Sequence, residues 1–393
     1  MELLEACELI VDCPHSTAKD EGEGYPLIRT PNVGRGRLIL DNVHRVSEAV
    51  YHKRNERAIP QENDLILARE APVGNVAIIR RGQNVCLGQR TVLIRPDNRL
   101  VDPEFLVYYL LSPNIQHVLL NSANGATVSH LNMSDIRKLE ISLPPLSTQR
   151  KIGRTLSRID DKIAINIAIN QNLSEQIESL LLAFIDGEDT TPVKLGDYLY
   201  IKGRIGWKGL KKSEYLDQSE YRIINGETLT KSGIDWSKAG YISKERYDES
   251  PEIMLNTGDV LLSKDGTIGK IGYVDSLELP TSVASGIFVI RNNKPDIIST
   301  TFIYYLLKSR LFEAFIVART EGSVIPHLYQ KDFMEFEFPL PNQKRMAQFE
   351  EIAEPMFSQI INNLNENKRL ATLRDALLPK LMSGELDVSE IDL

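Results

Sequence analysis

The chain is poor in the residues on which secreted scaffolds, metal sites and most active sites are built. Its 393 residues include three cysteines, Cys7, Cys13 and Cys86, which make no CxxC pair and leave an odd count. Neither a disulfide framework nor a zinc site is implied, and the thiols suit a reducing compartment. The six histidines, His15, His44, His52, His117, His130 and His327, offer no HExxH and no metal-ligand spacing. Gly34-Arg-Gly36 and Gly266-Thr-Ile-Gly269-Lys-Ile-Gly272 give neither GxGxxG nor GxxxxGKS/T, and read as turns between strands. No GxSxG elbow occurs. Ser142-Leu-Pro-Pro-Leu146 lacks the Asn or Asp before the prolines and the aromatic after them that would hold a flipped base. Apolar runs of about eighteen residues are missing, and the acidic start (Glu2, Glu5, Glu8) has neither the basic flank nor the apolar core of a signal peptide. The expectation is a cytoplasmic protein without membrane contact and without catalytic machinery.

Positive charge is also short, with 46 Lys and Arg against 54 Asp and Glu and a net charge of −8. That balance argues against a free-standing nucleic-acid binder, because neutralising phosphates takes clustered cations. The distribution is uneven, however. Between Tyr25 and Arg95 stand twelve Lys and Arg against six Asp and Glu, and Lys202, Arg204, Lys208, Lys211 and Lys212 precede any acid until Glu214.

What is present is a duplication. Pro145-Leu-Ser-Thr-Gln-Arg-Lys-Ile152 returns as Pro339-Leu-Pro-Asn-Gln-Lys-Arg-Met346, and Ser179-Leu-Leu-Leu-Ala-Phe-Ile-Asp-Gly-Glu188 as Ala376-Leu-Leu-Pro-Lys-Leu-Met-Ser-Gly-Glu385, at an offset near 197. Asn63-Asp-Leu-Ile-Leu-Ala-Arg-Glu-Ala-Pro-Val-Gly74 parallels Gly258-Asp-Val-Leu-Leu-Ser-Lys-Asp-Gly-Thr-Ile-Gly269. Tyr108-Tyr109 parallels Tyr304-Tyr305, and Gly125-Ala-Thr-Val-Ser-His-Leu131 parallels Gly322-Ser-Val-Ile-Pro-His-Leu328. A period this long exceeds any solenoid repeat, so each half should hold its own core. Short β-branched runs such as Val85 to Arg95 and Ile287 to Arg291, with helical spacing over Glu104 to Leu120 and Thr301 to Arg319, make each module mixed α/β. His130 and His327, which recur in both repeats, read as closing a turn after Gly125 or Gly322.

After each Pro-Leu-x-x-Gln a heptad begins. Ile152, Leu156, Ile159, Ile163, Asn166, Asn170, Leu173, Ile177, Leu180 and Phe184 step by 4 and 3. So do Phe349, Ala353, Met356, Ile360, Asn363, Asn367, Leu370, Arg374, Leu377 and Leu381. The second seam is the weaker, since Arg374 interrupts it and Pro355 should kink or start its helix. Both seams carry two central asparagines. If the helices pair antiparallel, Asn166 meets Asn367 and Asn170 meets Asn363, and buried asparagines of this kind penalise slipped registers. At 1.5 Å per residue, about 36 residues make a spacer of roughly 54 Å.

The doubled Pro-Leu-x-x-Gln motif, the Gly258-Asp-Val-Leu-Leu-Ser-Lys-Asp-Gly-Thr-Ile-Gly269 stretch and the ending Leu377-Leu-Pro-Lys-Leu-Met-Ser-Gly-Glu-Leu386 resemble the specificity subunit of Type I restriction-modification systems. The resemblance covers essentially the whole chain. It implies target recognition domains at 1–144 and 187–341, each reading one half of a bipartite sequence in double-stranded DNA. It further implies conserved helices at 145–186 and 342–393 that form an antiparallel coiled coil between pseudo-twofold-related domains, measure the gap and dock partners. Those partners would be two modification subunits that methylate adenine from S-adenosylmethionine, joined in some assemblies by two restriction subunits. S-adenosylmethionine, ATP and Mg would belong to the partners, and this chain would carry no cofactor or metal.

The family pattern marks scaffold and transfers no base-reading residue. Chemistry points to Arg29, Arg35, Arg37, Lys53, Arg54 and Arg69 in the first module and to Lys202, Arg204, Lys208, Lys211, Lys264 and Lys270 in the second as DNA contacts. Two other readings stay open from the residues themselves: a stand-alone DNA-modifying enzyme, and a scaffold whose modules bind protein.

Overall fold

The computed structural model describes residues 1–123, 130–187, 189–204, 209–230, 233–320 and 327–388. The chain is mixed α/β and divides into two compact units, Met1–Asn166 with Asn365–Leu393, and Ile167–Leu364.

The first unit contains β1 (Cys7–Asp12), β2 (Tyr25–Ile28), β3 (Gly36–Arg37), β4 (Arg45–Val46), β5 (Leu65–Ala68), β6 (Val76–Ile78), β7 (Cys86–Leu87) and β8 (Thr91–Pro96). Its helices are α1 (Glu48–Arg54), α2 (Pro103–Leu111), α3 (Pro113–Ser122), α4 (Met133–Arg137) and the first part of α5 (Leu146–Ile185). The strands form one sheet in the order β1-β8-β5-β6-β3 and a smaller one in the order β4-β2-β7. β5 is a continuous apolar run buried on both faces, as a strand covered on two sides must be. Leu65 and Leu67 enter the core beneath α2, α3 and α5, whereas Ile66 and Ala68 enter a second core with Val85 and Leu87.

The second unit repeats this plan. It contains β9 (Thr190–Lys194), β10 (Leu199–Gly203), β11 (Tyr221–Ile224), β12 (Leu229–Thr230), β13 (Gly233–Ile234), β14 (Gly240–Ile242), β15 (Val260–Ser263), β16 (Ile271–Tyr273), β17 (Thr281–Val283), β18 (Ile287–Asn292) and β19 (Glu337–Pro341). Its helices are α6 (Lys244–Asp248), α7 (Thr300–Lys308), α8 (Arg310–Thr320), α9 (Gln330–Met334) and the first part of α10 (Gln343–Ser383). The sheets β10-β18-β15-β16 and β14-β11-β17 correspond to β1-β8-β5-β6 and β4-β2-β7, down to the parallel pairs β2 with β7 and β11 with β17, and the first unit's main sheet carries a fifth strand, β3, beside β6.

Three sequence expectations need correction. Glu104 to Leu120 is two helices, because Pro113 cannot donate to the preceding turn and disfavours helix at Ser112. Thr301 to Arg319 breaks at the corresponding Ser309, whose hydroxyl donates to Leu306 O at 2.6 Å. Pro355 does not start a helix. α10 begins upstream at Gln343 and continues through it, with Pro355 on the exposed face.

Within each unit the long helices pair antiparallel. The first unit joins Lys162 to Glu366 and Asp160 to Arg374, and the second packs Phe184 against Phe349 with Arg345 donating to Ala183 O. Every position of both heptads is buried or half-buried. Ile152, Leu156, Leu378 and Leu381 belong to the first unit's core, and Ile177, Leu181, Phe349, Ala353 and Phe357 to the second's.

Candidate nucleic-acid interface

The cations that chemistry singles out separate into three groups once their surroundings are known. Arg54 and Arg204 are buried, 6% and 2% exposed, and their donors point inward, so neither can reach a phosphate or a base. Arg54 donates from Nε to Leu87 O (2.7 Å) and from its terminal nitrogens to Ser16 O (3.0 Å) and Pro14 O (3.4 Å). Arg204 donates from Nε to Val283 O (3.2 Å). Desolvation lowers the pKa of both guanidinium groups.

A second group is partly committed. Arg69 grips Asp12 with two 2.9 Å hydrogen bonds and donates from Nε to Leu131 O. Arg37 is paired with Asp161 of α5, Lys270 donates to Gly226 O (3.0 Å), and Lys264 lies 5.0 Å over the Phe288 ring. Arg29 is half-buried with an Nε that finds no partner among the described residues.

The third group faces solvent. It comprises Arg35, which spares one donor for Leu111 O, together with Lys53, Lys202 and Lys211. Lys208 lies outside the described residues.

Composition gave no sign of the most regular electrostatic feature. Arg95 at the end of β8 holds Asp64 through Nε (2.9 Å) and Nη2 (2.7 Å), and Arg291 on β18 holds Asp259 through the same nitrogens (2.7 Å each). In both places the second nitrogen also donates to a loop carbonyl, Ile59 O or Met254 O. The available signal was repetition, since each Asp follows the repeated Asn63 or Gly258 and each Arg closes the β-branched run. These pairs fasten a loop to the main sheet. The recurrent histidines sit beside an equally repeated contact, Leu131 N to Arg69 O and Leu328 N to Lys264 O. The expected turns at Gly125 and Gly322 lie outside the described residues.

On the helices, Asn166 donates to Asn367 Oδ1 (2.8 Å) and to Glu366 (2.7 Å) in the first unit. In the second, Asn363 donates to Asn170 Oδ1 (2.8 Å), while Asn170 donates to Ile360 O (3.2 Å). Arg374 stands in the seam as one half of an ion pair. It meets Asp160 at 2.7 Å, which also accepts a 2.6 Å hydrogen bond from the buried Tyr108 hydroxyl. Burial and the Asp160 carboxylate raise the Tyr108 pKa far above its ordinary value. The corresponding place in the second unit holds Tyr305, Phe357 and Ile177, and the helix starts at Pro103 and Thr300 make Tyr305, not Tyr304, the counterpart of Tyr108.

Among the described residues no group of three or more His, Cys, Asp or Glu is placed to hold a metal, and no helix is long and apolar enough to cross a membrane.

The model of the Type I restriction modification DNA specificity domain family matches residues 9–176 and again 187–373. The Type I restriction enzyme MjaIX specificity subunit of Methanocaldococcus jannaschii is 26% identical over 377 residues, spanning 88% of this chain and 85% of that protein. The MjaVIII specificity subunit of the same organism is 21% identical over 372 residues, spanning 86% and 82%. A crystal structure of a Type-I restriction-modification system S subunit from M. genitalium shares the fold, with a TM-score of 0.58 at 19% identity over 97% of this chain and 95% of that one.

Proposed function

From a chain that belongs to the Type I restriction modification DNA specificity domain family, we propose a division of labour in which each module reads one short word of a bipartite double-stranded DNA target and the helix pair sets the gap between them. The chain is the specificity component of a restriction-modification complex and not its catalyst. The observation that carries this reading is the double match of the family to 9–176 and 187–373, set beside two units that share the strand order of a four-stranded and a three-stranded sheet and carry different surface cations. A shared scaffold with divergent side chains is what reading two different words requires.

The finer assignments rest on the same reading. Two modification subunits dock on the long helices and transfer methyl groups from S-adenosylmethionine to adenine, two restriction subunits join where cleavage accompanies methylation, and ATP and Mg serve those partners. Their own cations supply much of the phosphate neutralisation that a chain of net charge −8 cannot. DNA contacts in this chain come from the solvent-facing Arg35, Lys53, Lys202 and Lys211 and from the half-buried Arg29, Lys264 and Lys270 at module edges. The asparagine pairs fix the register of the helices.

Exchanging the first module for that of a relative tests the division. One word of the methylated sequence should change while the other and the gap persist. An unchanged pattern would favour a protein-binding scaffold. Methyl transfer by the purified chain alone with S-adenosylmethionine would favour a stand-alone enzyme.

A further inference from the structure

The segment after β1 and the C-terminal end of α1 enclose a cleft of 360 Å³. Its lining includes Pro14, Ser16, Lys19, Lys53, Arg54 and Arg57. Lys19, Lys53 and Arg57 are exposed and among the described residues have no carboxylate partner, Arg57 donating instead to Asp12 O (3.2 Å) and Cys13 O (3.5 Å). The acids nearby are engaged elsewhere. Asp12 is held by Arg69, Asp20 accepts from Gly22 N and Arg45 N, and Glu48 faces His52. Glu56 is the one carboxylate on the lining. The buried Arg54 shapes the wall, since its hydrogen bonds to Pro14 O and Ser16 O tie the segment to the helix.

The second module treats the matching helix differently. On α6, Lys244 is paired with Asp248, and Arg246 with Glu214 and Glu249. The fold is shared, yet among the described residues the first module leaves Lys53 of this helix without a carboxylate partner, beside Lys19 and Arg57 of the neighbouring segments. Exposed cations without a carboxylate partner release counterions fully when they meet phosphate, whereas paired ones must first give up a carboxylate.

We infer that the Lys19–Lys53–Arg57 cleft seats backbone phosphates of duplex DNA, a contact that the matching helix of the second module, with its cations paired, does not make. The inference rests on the DNA-reading function proposed above. Contacts of this kind position the duplex and carry no sequence information.

The test is the salt dependence of binding by the full-length chain, purified with the subunits it assembles with, to a random-sequence duplex of about four helical turns. Each phosphate contact adds about 0.9 to the log–log salt slope. K19Q/K53Q should flatten the slope by about 1.8 and weaken binding at 0.1 M salt by about tenfold per contact. K244Q/R246Q in the second module should leave the slope unchanged. Both substituted lysines are exposed, and an unaltered melting temperature confirms that folding is intact. A K19Q/K53Q slope equal to wild type, with wild type binding normally, overturns the cleft and leaves the DNA reading standing. Wild type without DNA affinity overturns both. A change in the methylated word without a change in slope would make the contact one to bases and overturn the phosphate assignment.

Discussion

Arg54 and Arg204 have the chemistry of DNA contacts, yet they serve one internal purpose by different routes. Each places Nε on the carbonyl at one strand position, Leu87 in β7 or Val283 in β17. In the first unit the guanidinium comes from α1 and the end of β1 is followed by the small Cys13. In the second it comes from just beyond β10, and the place after α6 is the buried Ser250. One buried guanidinium is kept and its origin is exchanged. Sequence could not reveal this, because an arginine's burial depends on which carbonyls distant loops bring to it. R54S should lower stability by about 2–3 kcal/mol in urea unfolding, since it leaves three carbonyls without their donor. C13R/R54S, which copies the second unit, should recover part of that loss, and no recovery would mean that the two sites are not equivalent.

The cysteines make a second prediction at this scale. Burial, with Asp97 adding to it, pushes the Cys7 thiol up to about 12, and burial pushes Cys86 up to about 11 against the pull of Arg54. These are acids whose folded pKa is raised. The stability they contribute is present in full below the ordinary value of 9.0 and is lost as pH rises from there toward 11 and 12. Thiol titration at pH 8 should find the native protein nearly unreactive and the unfolded protein fully reactive. Rapid native labelling of Cys86 would contradict its burial.

Among the elements, the long helices were the most legible part, because little besides a helix-pairing seam sustains a mostly apolar 4-3 step over ten positions. The identity of each layer was less so. Arg374 read as a flaw in the seam, but the residue that justifies it, Asp160, sits at a module-facing position that a heptad template does not score. The helix breaks before α3 and α8 were hidden in the same way, by an apolar spacing that continues across Pro113 and Ser309. R374I alone strands a buried carboxylate and should cost about 3–5 kcal/mol, whereas D160F/R374I, which copies Phe357 and Ile177, should be close to neutral. A double variant no better than R374I in thermal unfolding would show that the ion pair is not what the site requires. For the asparagines, N170L/N363L should raise the melting temperature while loosening the register, measurable as a broadened distance distribution between spin labels on α5 and α10.

For the whole molecule, the duplication fixed the architecture in advance, and what it could not supply was the reading surface. Reading two different words requires different side chains in the two modules, so repetition, the strongest signal in this chain, is silent where function varies. Helix length makes a prediction of its own. One heptad added to both α5 and α10, about 10 Å, should lengthen the gap by about three base pairs while both words are retained.

Mapping methylated adenines across the genome, with the native gene and with its first module exchanged, is the measurement that bears hardest on the molecule as a two-headed reader. Two short words at a fixed unread gap are expected, with one word alone replaced after the exchange. A single continuous word, or the replacement of both words at once, would contradict it.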